Sequence, residues 1–139
     1  MFRVIIAGTR SFNDRALLYQ RCDEILTPYA NVGIEIVSGC NKGTKGKDGT
    51  WLLGADALGQ QYAIERGYAI EPFPAMWAIH GLAAGPIRNR EMGHYAYESP
   101  DGGGLIAFWD GVSRGTADMI KYADSLHLPI WEIHYKQQL

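Results

Sequence analysis

Short apolar runs that end in a small-residue turn and feed a helical pattern recur along this chain, and that alternation limits its fold more than any other feature. Residues 3–7 form an apolar, β-branched run stopping at Gly8, the pattern of a buried strand that leads into a turn. Asn13 or Asp14 offers a helix cap just before Arg15. Leu18, Cys22 and Ile25, spaced four and three apart, share one helical face. Pro28 and Gly33 close that helix, and residues 34–37 form a second strand ending at Ser38 and Gly39. Residues 41–50 are rich in Gly and Lys, have no period and read as a loop. A helix follows over 54–66, with Leu58 and Tyr62 inward and Gly67 as its stop. Residues 69–73 are a third strand and 74–85 an irregular aromatic segment. Pro86 suits the first turn of a helix running to about Tyr97. A glycine turn at 101–104, a strand at 105–109, a helix at 116–126 with Met119, Ile120 and Ala123 inward, and a strand at 129–134 complete the pattern.

Strands and helices alternating through short connections predict an α/β fold: a doubly wound, mostly parallel five-stranded sheet with helices on both faces. The 139 residues fit one domain, 1–139. The net charge of −2 counts against nucleic acid as a partner, because such binding needs an extended basic face. No apolar run reaches the length of a membrane span, and the first residues lack a signal-peptide layout. Two cysteines outside any CxxC or Cys/His spacing fit a cytoplasmic chain with free thiols and no metal.

In such a fold ligands bind at the carboxyl ends of the strands, which selects four corners. The first is Gly8-Thr9-Arg10-Ser11, with a tight-turn glycine, hydroxyls and a guanidinium suited to bidentate contacts. It is not a GxGxxG fingerprint, so ordinary NAD binding is unsupported and no cofactor is assigned. The second is Ser38-Gly39. The third is the segment 110–116, where Gly115 permits close backbone approach, Thr116 is positioned to cap a helix, and Ser113 and Arg114 add a hydroxyl and a charge. The fourth opens the Pro86 helix with Arg88, Asn89 and Arg90. Arginines in a first turn oppose the helix dipole and point to an anion or carboxylate nearby. Arg88 shares a face with Met92, whereas Arg90 points elsewhere as a solvated or structural partner.

Asp56, Asp110 and Asp118 are the carboxylates available for acid–base work or for orienting a ribose hydroxyl. The four histidines show no paired metal spacing. Trp77 and Trp109 offer rings for stacking on a base, although Trp109 ends a strand and reads as core.

As a set, Gly8-Thr-Arg10, Ser38-Gly39, Gly54-Ala-Asp56, Phe73-Pro-Ala-Met-Trp77, Ala84-Gly-Pro-Ile-Arg-Asn-Arg-Glu-Met92 and Phe108-Trp-Asp-Gly-Val-Ser-Arg-Gly-Thr-Ala-Asp-Met119 resemble the SLOG superfamily. Within it the chain is most similar to the small YspA-related proteins of bacteria and phages, over nearly its whole length. The resemblance implies a Rossmann-like fold, a phosphorylated nucleotide or ADP-ribose-derived ligand, and a homo-oligomer paired through helices. It also implies distant kinship with DNA-processing DprA proteins and with cytokinin-riboside-monophosphate phosphoribohydrolases, which split a base from ribose 5-phosphate. Phage relatives add sequestration of a host signalling nucleotide as a use.

The hydrolases show an R-K-x-x-M stretch, which Arg88 and Met92 match while Asn89 replaces the lysine. They also show P-G-G-x-G-T-x-x-E, where Gly115 and Thr116 match but Met119 stands at the catalytic glutamate. A thioether neither supports an oxocarbenium-like transition state nor moves a proton. Asp118 lies one position away, about 100° around a helix. The expectation is therefore a nucleotide-binding sensor or sequestering protein whose site contains Gly8, Thr9, Arg10, Gly39, Arg88, Asn89, Ser113, Arg114, Gly115 and Thr116. The alternative is a phosphoribohydrolase-type enzyme using Asp56, Asp110 or Asp118. A second departure from the relatives is the Gly/Lys-rich insertion at about 41–53, with Lys42, Lys45 and Lys47, which reads equally as a lid that folds over a bound polyanion and as a flexible surface insertion.

Overall fold

The computed structural model describes residues 1–45, 48–49 and 51–135, with Trp51 and Leu52 described by backbone alone. In chain order the elements are β1 (Phe2–Gly8), α1 (Arg15–Leu26), β2 (Ile34–Ser38), β3 (Thr44–Lys45), β4 (Trp51–Leu52), α2 (Gly54–Arg66) and β5 (Ala69–Pro72). They continue with α3 (Trp77–His80), α4 (Ala84–Tyr97), β6 (Gly103–Trp109), α5 (Arg114–Ser125) and β7 (Ile130–His134). Five strands form one sheet in the order β5-β2-β1-β6-β7, and every neighbouring pair is parallel. The alternation of strand and helix thus yields the expected Rossmann-like α/β architecture.

Strand β1 is buried on both faces, so alternate residues feed two cores. Val4 and Ile6 pack with Leu18 and Cys22 of α1 and with Leu58 and Tyr62 of α2. Ile5 and Ala7 pack with Met92 and Ala96 of α4 and with Met119 and Ala123 of α5. Each large side chain buried in this way contributes about 1.5–3 kcal/mol. The chain therefore covers one face after β1 and the other after β6, although the two strands are neighbours. That reversal is the topological switch point, and the crevice beyond Gly8 and Trp109 is where such sheets take ligands.

Local signals set several element ends. Asp14 caps α1, its Oδ1 accepting from the Leu17 amide at 3.0 Å. Gly67 closes α2 in the left-handed conformation, φ +74°.

Four expectations need correction. Within the segment read as an unpatterned loop and just after it, Thr44–Lys45 and Trp51–Leu52 pair antiparallel, Thr44 with Leu52 and Lys45 with Trp51; two-residue strands leave no period to read. Segment 74–85 contains α3. Gly103 and Gly104 belong to β6, not to a turn: a Cβ on Gly103 would lie 2.3 Å from the Ala96 carbonyl oxygen, so glycine admits the end of α4 against the strand. Helix α5 begins at Arg114 with Ser113 in the cap position, so Thr116 lies in the first turn instead of capping it. Among the described residues no helix is long and apolar enough to cross a membrane.

Candidate functional site

Two chambers meet at the carboxyl edge of the sheet. The inner one, of about 280 Å³, lies between Gly8 at the end of β1, the first turn of α5 and the α4 face carrying Arg88, Asn89 and Met92. The outer one, of about 560 Å³, runs from Gly39 and Asn41 after β2 to Pro74, Trp77 and Leu82 before α4. Arg10, Asn41 and Arg88 border both, so the two form one groove.

Each polar group is set by a local contact. Nη1 of Arg88 donates to the Gly39 carbonyl oxygen at 2.5 Å, and its Nε donates to Oδ1 of Asn89 at 3.1 Å. Buried Asn89 donates from Nδ2 to the Gly115 carbonyl at 3.2 Å and to Oδ2 of Asp118 at 3.0 Å, tying α4 to the start of α5. The backbone amides of Arg114, Gly115 and Thr116 make up the first turn of α5, where a helix supplies no internal acceptor. The Ser113 side chain caps none of them and instead lies 3.3 Å from Oγ1 of Thr116. A Cβ on Gly115 would meet nothing within 4 Å, so this turn opens onto the chamber.

Asp56, in the first turn of α2, lines the same chamber and is 8% exposed. Its Oδ2 accepts from the Asn41 amide at 3.0 Å. Burial raises its pKa, and this outweighs the opposing pull of that amide and of the Arg88 and Arg10 charges. The inner chamber thus presents Arg10, Arg88 and Arg114 against one poorly solvated carboxylate.

Of the ten ligand-binding residues expected from sequence, Gly8, Arg10, Arg88, Asn89, Ser113, Arg114, Gly115 and Thr116 border the inner chamber, and Gly39 borders the outer one. Thr9 borders neither: it is buried, and its Oγ1 accepts the Asp110 amide at 3.2 Å. Gly8 is required for packing as well as for access, since a Cβ there would lie 2.3 Å from the Phe108 carbonyl oxygen and 2.8 Å from Cβ of Ala55.

Among the acid–base candidates only Asp56 faces the groove. Oδ1 of Asp110 accepts the amides of Val112 and Ser113 at 2.8 and 2.9 Å. Burial pushes its pKa up, but those amides and the Thr9 hydroxyl outweigh burial and leave it below the usual range. Asp118 is engaged by Asn89. Arg90 points away, as its spacing implied, donating to the Pro86 carbonyl at 3.2 Å and lying 5.5 Å from the Tyr122 ring centroid.

Asn41, Cys40 and Met119 also line the groove without having been assigned to it from sequence. Asn41 had a legible signal, because a polar residue just after a glycine turn at a strand end is where this fold places ligand contacts. Met119 is 1% exposed and closes the floor of the inner chamber. Of the three insertion lysines, Lys42 borders the outer chamber, Lys45 lies in β3, and Lys47 falls outside the described residues. Among the described residues no cluster of three or more His, Cys, Asp or Glu could hold a metal ion, and all four histidines are exposed.

No family model matches this chain, and neither does any curated protein or solved structure.

Proposed function

We propose that this groove binds a phosphorylated nucleotide or an ADP-ribose-derived small molecule, and that the protein is a SLOG-type sensor or sequestering protein for a signalling nucleotide. One observation carries the reading. At the switch point of the sheet, Arg10, Arg88, Arg114 and the open first turn of α5 surround a single chamber that holds one carboxylate, itself buried and raised in pKa. Guanidinium groups and unpaired helix amides both prefer an anion, and a chamber of about 280 Å³ holds a phosphate together with its sugar. Sequestration of a host defence signal by a phage protein, and self-association through helix faces, belong to the same proposal.

The test is mass spectrometry of molecules released by heat from protein that has been incubated with a cell nucleotide extract and desalted. An intact nucleotide, followed by a concentration-dependent rise in Tm, is the expected result. Absence of any phosphate-bearing molecule overturns it.

The second reading is a phosphoribohydrolase-type enzyme, favoured by Asp56, whose burial and raised pKa are what a general acid requires. Met119, buried in the chamber floor, is the argument against it, because no carboxylate stands at that position. Release of free base with loss of the parent nucleotide, abolished in Asp56→Asn, would establish this second reading.

A further inference from the structure

We infer that the ligand carries an aromatic base, that this base lies against the indole of Trp77 in the outer chamber, and that Trp77 separates nucleotides from bare sugar phosphates. The inference rests on the nucleotide reading above and fixes the direction in which the ligand lies.

The two chambers differ in chemistry. The inner one has no aromatic ring among its described lining residues and presents guanidinium, hydroxyl and amide groups, which suit a phosphate and its ribose. The outer one has twice the volume and an apolar wall of Pro74, Ala75, Trp77 and Leu82. Because Arg10, Asn41 and Arg88 border both, a single molecule spans them with its charged end inside and its flat end outside.

Trp77 is held in place yet left uncovered. The amides of Ile79 and His80 donate to the Met76 carbonyl at 3.0 and 2.9 Å, which fixes the short α3 turn. A Cβ on Gly85 would sit 3.4 Å from Cη2 of the indole, so the ring rests at van der Waals distance from α4. Even so, Trp77 is 45% exposed, and Leu82 beside it is 93% exposed. The Arg10 guanidinium lies over the ring at 6.0 Å from its centroid, the outer limit of a cation–π contact. A half-exposed indole on the wall of a cavity, next to an anion chamber, suits a planar heterocycle. Stacking tolerates any base, since every base has a π-face. Trp77 therefore selects for the presence of a base more than for its identity.

The experiment is titration calorimetry of wild type, Trp77→Ala and Trp77→Phe with AMP, GMP, CMP, UMP and ribose 5-phosphate. At least one nucleotide should bind wild type ten times or more tighter than ribose 5-phosphate. Trp77→Ala should weaken that nucleotide about 5- to 150-fold, the range for one base stacked on one aromatic ring, and leave ribose 5-phosphate unchanged. Trp77→Phe should restore most of the loss, which a folding defect would not allow. Ribose 5-phosphate binding as tightly as every nucleotide, or nucleotide affinity untouched in Trp77→Ala, overturns the inference while the phosphate-binding reading stands. Failure of all five probes to bind, with no phosphate-bearing molecule recovered from the nucleotide extract, overturns both.

Discussion

Arg88 and Gly39, 49 positions apart in sequence, are joined by a hydrogen bond from the guanidinium Nη1 to the carbonyl oxygen at 2.5 Å. The contact exists because Gly39 has no side chain: a Cβ there would lie 2.6 Å from Nη1 of Arg88 and 2.9 Å from Oδ2 of Asp56. Gly39→Ala should therefore displace both groups at once while the sheet, which ends one residue earlier at Ser38, stays intact. A hydrogen bond from a charged donor is worth about 1.5–3 kcal/mol. Nucleotide affinity in calorimetry should accordingly fall at least about tenfold, with an unchanged far-ultraviolet circular dichroism spectrum. Unaltered affinity would show that Arg88 does not hold the ligand from this position.

Asp56 is expected to trade stability for function. Burial raises its pKa in the folded state, so the folded chain binds a proton that the unfolded chain has already released. Stability on this account falls as pH rises from the unfolded value through the folded one, and the penalty is complete above the folded pKa. Asp56→Asn removes the charge and keeps an acceptor for the Asn41 amide. Its Tm should exceed that of wild type at about pH 7, and the gap should close as pH falls into the ordinary carboxylate range near about pH 4. A Tm below wild type throughout would mean that Arg88 and Arg10 stabilise the carboxylate more than burial penalises it.

The opposite sign holds for Asp110. Its folded pKa lies below the usual range because two amides and a hydroxyl favour the charged form over the effect of burial. The stability it contributes is present above the unfolded pKa and is lost as pH falls through the folded one. Asp110→Ala frees the Val112 and Ser113 amides and should cost about 1–2 kcal/mol in urea unfolding at neutral pH. Asp110→Asn, which retains an acceptor, should cost about half as much. A loss of binding in Asp110→Asn without any loss of stability would instead place the carboxylate in the ligand site.

The helical stretch from Gly54 to Arg66 could be read from sequence to the residue, because an apolar face ran up to a glycine that only the left-handed conformation explains. Arg88 was legible for a related reason: a charge that opposes a helix dipole calls for a partner, and Arg88 has one in the Gly39 carbonyl. The hairpin of Thr44–Lys45 with Trp51–Leu52 was not legible, since two-residue strands carry no period. Gly103 looked like a turn because composition reports conformational freedom and not the nearness of a neighbour; the Ala96 carbonyl that excludes a side chain comes from a helix already passed. Thr9 was placed in the site by its position in a strand-end turn, but the Asp110 amide, 101 positions away, claims its hydroxyl. Contacts of that range have no local signature.

The two thiols should report on the outer chamber. Cys22, on the inward face of α1, is fully buried in the core shared with α2, and burial, with the Asp23 charge beside it, pushes its pKa up to about 12. Since the thiolate is the nucleophile, Cys22 should stay unmodified in the folded protein. Cys40 is half-buried and borders the outer chamber, with its Sγ 3.5 Å from Nε2 of Gln60. Titration with a disulfide reagent under native conditions should therefore label one thiol quickly and the second only in denaturant, and Cys40→Ser should abolish the fast phase. A nucleotide in the groove should slow labelling of Cys40 in proportion to occupancy, giving a Kd that agrees with calorimetry. Two equally fast thiols would contradict the burial of Cys22. A fast phase indifferent to saturating nucleotide would show that the ligand does not enter the outer chamber.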